Sequence, residues 1–180
     1  MPQHGFNTTA VIMHWLMAVS IFFLFVSSWW MLGLPFPSAD FTYRVFPFQL
    51  HKSLGITVVF VLGIFLYARL KYRPIQIAIS PEDQRNQTFA RINHTLLYIV
   101  IFGCCISGYM SSSYSGWNTT LWWVLELPNW GYEDEALNIF YSDIHLWMCL
   151  ILLAMIAVHI SGALYHAFRN DGLVRRMLRF

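Results

Sequence analysis

The sequence predicts an all-α integral membrane protein, a bundle of four helices with both chain ends on the cytoplasmic side. Three observations carry that expectation: the composition, the charge-free stretches and the distribution of basic residues. Of 180 residues, 57% are hydrophobic and 11% charged, where soluble domains carry roughly a quarter charged. Asp, Glu, Lys and Arg are absent from residues 1–39, 92–125 and 144–168. Each gap exceeds the about 20 residues that a helix needs to cross the hydrocarbon layer. A soluble globular enzyme is excluded, and with 18% aromatic residues neither disorder nor nucleic-acid binding suits the chain. Residues 1–180 read as a single domain.

Four segments have the length and composition of spans: 10–33, 50–68, 94–113 and 142–166. The first lacks a basic leader and ends in Trp29, Trp30, Met31 and Leu32 rather than small residues, so it reads as a retained helix and not a signal peptide. Gly33, Pro35 and Pro37 close it, Pro74 and Pro81 mark the second connection, and Pro128 and Gly131 lie in the third. Arg69, Lys71, Arg73, Arg85 and Arg91 surround the middle connection, and Arg169, Arg175, Arg176 and Arg179 follow the fourth span. By the positive-inside rule those regions are cytoplasmic. The opposite side receives Asp40, Glu126, Glu133, Asp134, Glu135 and Asp143, with Arg44 and Lys52 as its only cations. Trp29, Trp30, Trp117, Trp122, Trp123 and Trp130 gather at that outer level, and the 114–141 connection is expected to rest on the membrane surface.

Histidine in a span is a functional candidate, because an unpartnered imidazole in hydrocarbon costs on the order of a few kcal/mol. His145 and His159 are 14 residues apart, which returns them to one helical face about 21 Å apart along the axis. Chain direction then sets depth. His14 starts the first span at the inner level, with His159, whereas His51 starts the second at the outer level, with His145. Two imidazole pairs stacked across a membrane suit two noncovalent b-type haems, since no C-x-x-C-H occurs. Zinc would ask for four ligands, and a proton relay for buried carboxylates that the spans lack. Gly55, Gly103, Gly108 and Gly162 offer room for a macrocycle, although small residues also serve close helix packing. Cys104, Cys105 and Cys149 read as packing residues.

Two histidines leave alternatives. His94, opening the third span, competes with His14 for His159. His166 follows His159 by seven residues and could meet a haem propionate, a quinone or simply the interface. His4 precedes any expected structure.

His14-Trp15-Leu16, Leu50-His51-Lys52-Ser53-Leu54-Gly55-Ile56, Arg69-Leu70-Lys71-Tyr72, Ile92-Asn93-His94-Thr95, the spacing of His145 and His159, then His166 and Asn170-Asp171-Gly172-Leu173-Val174-Arg175-Arg176-Met177 together resemble the bacterial cytochrome b561 family over nearly the whole chain. The resemblance implies a four-helix, di-haem b-type cytochrome of the bacterial inner membrane, with His14, His51, His145 and His159 as axial ligands of the haem irons and His94 unligated. It also implies electron exchange with the quinone pool and, in one branch, oxidation of superoxide at the outer face. The Trp-rich outer connection departs from the family.

Lys52 adjoins His51 on an otherwise acidic face, where it could steer a small anion such as superoxide; the commoner role of such a residue is to snorkel or pair with a haem propionate. A reading of another class is a cytochrome anchor that relays electrons between a partner oxidoreductase and quinone, without substrate chemistry of its own. A haem-free transporter is a third.

Overall fold

The computed structural model describes residues 8–33, 45–71 and 81–169, apart from the side chains of 81–85. Helices α1 (Thr8–Leu32), α2 (Phe46–Lys71), α3 (Pro81–Tyr114) and α4 (Glu135–Phe168) follow in order, with strands β1 (Thr119–Leu121) and β2 (Leu125–Leu127) between α3 and α4. All four helices are long and apolar enough to span a membrane. Their ends are called outer and inner after the charge pattern. His4, Asp40, Arg44, Pro35, Pro37, Pro74, the Tyr72-Arg73 pair and the 170–180 tail lie outside the described residues.

The helices overrun the expected spans where polar sequence continues a helical pattern. Pro81, expected in the second connection, instead opens α3. In a first turn the missing N–H is one that no helical carbonyl would have used. α4 begins at Glu135, ahead of its apolar run, because Asp134 caps it by accepting the Leu137 N–H at 3.0 Å, and Glu135 adds a favourable charge to the first turn.

The interior is narrow. Met17, Val58, Leu62, Leu97, Ile101, Cys104 and Leu152 form its centre, while Phe22, Phe60, Ile99 and Trp147 point outward. Such surface is stable only against lipid. α3 and α4 make the most extensive contact and α1 and α2 the next, so the bundle is two antiparallel helical hairpins. The backbones of α1 and α2 approach α4 far less closely than α3 does. Histidine side chains reach across that space.

The outer connection contains a feature absent from the sequence reading, an antiparallel two-stranded ladder with Thr119 opposite Leu127 and Leu121 opposite Leu125. Its turn is closed by the Val124 N–H donating to Leu121 O at 3.0 Å. The two central residues, Trp122 and Trp123, take φ of 49° and 60°. That left-handed pattern matches the twist of a hairpin but normally selects Asn or Gly, and it costs a side-chain-bearing residue roughly 1–2 kcal/mol. Hydrogen bonds to α2 hold the turn: the Trp122 N–H donates to Ser53 Oγ at 2.9 Å and its indole Nε1–H to Thr57 Oγ1 at 3.0 Å.

Candidate functional site

α4 supplies two of the four proposed ligand positions from one face. At the outer level its His145 meets His51 of α2, with ring centres 6.4 Å apart and planes at 83°. At the inner level His159 meets His14 of α1 at 6.0 Å and 58°. At each level, histidines expected at the same depth are neighbours in space. Two metal–imidazole bonds of about 2 Å, with half a ring on either side, sum to about 6 Å.

The outer pair sits in a prepared setting. His145 Nδ1 donates to Cys104 O at 2.8 Å, with Ser107 Oγ 3.4 Å away. A ligating histidine commonly donates its second ring nitrogen in this way, which fixes the tautomer and leaves Nε2 for a metal. Cys149 Sγ lies 3.6 Å from that Nε2. A methyl group at Gly108 would stand 3.0 Å from His145 Nδ1 and Cε1, whereas one at Gly55, a turn beyond His51, would meet nothing within 4 Å. Among the described residues, His51 Nδ1 and Lys52 Nζ are buried nitrogens without a hydrogen-bond partner. Adjacent orphaned donors are costly unless an acceptor-bearing group joins them, and a b-type haem with its carboxylates is such a group.

Three imidazoles meet at the inner level. The His94 ring is 5.0 Å from that of His159, edge to face at 77°, and its Nδ1 is bound to Ala90 O of its own helix at 2.6 Å. That centre-to-centre distance is shorter than a metal with two imidazole bonds requires; the His14 distance is not. Beyond His94, Arg69 Nη1 donates to Tyr98 OH at 2.6 Å. A methyl group at Gly162 would meet nothing within 4 Å. His166 is half-buried against Tyr165, ring centres 5.6 Å apart. Among the described residues no group of three or more His, Cys, Asp or Glu side chains is placed to hold a metal ion. Facing pairs with open glycines beside them fit a planar macrocycle better than a polydentate metal centre.

The sequence profile of the prokaryotic cytochrome b561 family matches residues 5–180. The chain belongs to that family. Its members are membrane b-type cytochromes of electron transfer, so the family implies b-type haem. A relative named cytochrome b561 homolog 2, from Escherichia coli strain K12, is 29% identical over 169 residues, covering 92% of this chain and 86% of the relative. Membership of the cytochrome b561 family accounts for the four apolar helices, and the haem-free transporter reading falls with it.

Some details of this site lay beyond sequence reasoning. The Cys104 carbonyl is a backbone acceptor that no residue type announces. Gly108 was indistinguishable from Gly103, which faces only the end of Met148 at 3.5 Å. Cys149, expected to pack, also touches the imidazole of His145. The one available signal was its spacing of four residues after a candidate ligand.

Proposed function

We propose that this cytochrome binds two b-type haems, one through His51 and His145 and one through His14 and His159, and carries single electrons between an outer donor, superoxide, and the quinone pool of the bacterial inner membrane. The observation that carries the reading is the pair of facing imidazoles at each of two levels on α4, 6.4 and 6.0 Å between ring centres. Haem, when bound, supplies the one-electron chemistry. The chain's own contribution is to present neutral nitrogens, hold the rings and keep water out. For the outer pair the Cys104 carbonyl does the first of these. Two superoxide anions would give up one electron each, and one quinone would take up both with two protons to become quinol.

Lys52 adds a positive charge beside the outer ligand on a face otherwise rich in carboxylates, which favours approach of a small anion. The test is an optical spectrum with haem quantitation on the purified chain and on His51→Ala and His159→Ala. Two haems are expected in the wild type, each substitution removing mainly one. Equal, unaltered haem content in both variants would overturn the ligand assignment.

A further inference from the structure

One face of α2 changes character halfway along. Gln49, Ser53 and Thr57 recur every fourth residue, then Phe60, Ile64 and Tyr67 continue the same stripe. The polar half is covered: Ser53 is fully buried and Gln49 nearly so, while Phe60, Ile64 and Tyr67 are all more than half exposed. The cover is the β1–β2 hairpin. Gln49 Nε2 donates to Asn118 O at 2.9 Å and its Oε1 accepts the Thr120 N–H at 3.3 Å; Ser53 and Thr57 then take the two donors of Trp122. From α3, Ser112 Oγ pairs with Thr119 Oγ1 at 2.8 Å, both buried. β1 thus runs along α2 toward the bilayer centre, with its backbone partners supplied by helix hydroxyls and an amide.

Depth follows from α2 itself. Counting about 20 residues back from Arg69, the first inner charge on the helix, puts the outer hydrocarbon edge near Gln49. Ser53 then lies about 6 Å and Thr57 about 12 Å inside it. The tip of the hairpin is apolar and uncharged: Trp122 and Trp123 are about two-fifths exposed, Val124 87% and Leu125 56%. Its charged residue, Glu126, pairs across the ladder with Thr120 at the Gln49 level and accepts from the Asn118 side chain.

We propose that the β1–β2 hairpin is a re-entrant element whose Trp122–Leu125 tip is inserted among the acyl chains of the outer leaflet, continuing the lipid-facing surface of Phe60 and Ile64. Non-helical backbone survives at such depth only where protein satisfies it; Gln49 and Ser53 do so here, while Thr57 accepts the indole N–H of Trp122. Ser53 and Thr57 of α2 and Ser112 of α3 therefore serve the hairpin.

The test places a nitroxide label at Val124→Cys in the full haem-loaded chain in phospholipid vesicles, with identically treated wild type as background for the three native cysteines. Phe60→Cys is the lipid reference and Tyr132→Cys, 96% exposed in the outer connection, the aqueous one. Collision rates with oxygen and with a water-soluble nickel chelate are compared. The Val124 label is expected to favour oxygen over nickel several-fold more than the Tyr132 label, as the Phe60 label does; a ratio equal to that at Tyr132 would overturn the proposal. Quenching of tryptophan emission by acyl-brominated lipid provides a second readout without a label. Trp122→Phe with Trp123→Phe is expected to lower the quenchable fraction, and an unchanged fraction would overturn the insertion.

Discussion

Gly108 on α3 provides the space that the His145 imidazole of α4 occupies, since any side-chain carbon at that position would stand 3.0 Å from both Nδ1 and Cε1. Such an approach is tighter than van der Waals contact, and the ring is held in place by its bond to Cys104 O. Gly108→Ala is therefore expected to rotate the ring away from its carbonyl and lower the haem retained at the outer level by about half or more. Gly63→Ala, with nothing within 4 Å, is the control that retains full haem. Pyridine haemochrome quantitation checks both, and equal content in the two variants would count against a steric role.

The inner level yields a contrast between two histidines. His14→Ala is expected to remove the inner haem, while His94→Ala leaves it bound and shifts only its reduction potential, because His94 Nδ1 is tied to Ala90 O and its ring is too near His159 to share an iron with it. Redox titration with haem quantitation distinguishes the two; loss of haem from the His94 variant alone would reverse the assignment.

Lys52 bears on the donor. Lys52→Glu is expected to slow reduction of the cytochrome by superoxide about tenfold per haem bound, by reversing the local charge. Since Lys52 Nζ is buried, Lys52→Gln serves as the milder variant and should slow the reaction less. Stopped-flow reduction after a superoxide pulse measures both rates, and an unchanged rate in each would remove Lys52 from donor approach.

Ser53→Ala deletes the acceptor of the Trp122 N–H at a fully buried site. Leaving that donor unpaired in an apolar layer costs about 1–3 kcal/mol. The expected result is a thermal midpoint lowered by several degrees, and Ser53→Thr, which keeps the oxygen, should lose less. Loss of the haem absorbance on heating in detergent reports the midpoint.

The helices were legible because hydrophobic length is a local property: each of the four spans needs only its own apolar run and the charges that flank it. The two levels of imidazoles were legible for a related reason. Once four spans alternate in direction, depth follows from position in the chain, and His14, His51, His145 and His159 fall into two levels. Which inner histidine faces His159 at a metal-spanning distance was not legible, because His14 and His94 share that level and helix rotation about the axis sets the distances. The hairpin escaped for the opposite reason. Its strands are three residues each, and its turn holds two tryptophans in a conformation that local preference assigns to Asn or Gly. Ser53 and Thr57, distant in sequence and adjacent in space, supply the bonds that outweigh that preference. Local composition thus determined the number of crossings and the depth of each candidate ligand, while the tertiary structure alone decided how the rings are oriented, which glycine leaves them room, and how far the outer connection descends alongside α2. Orientation and clearance depend on contacts between helices, and no single segment contains them.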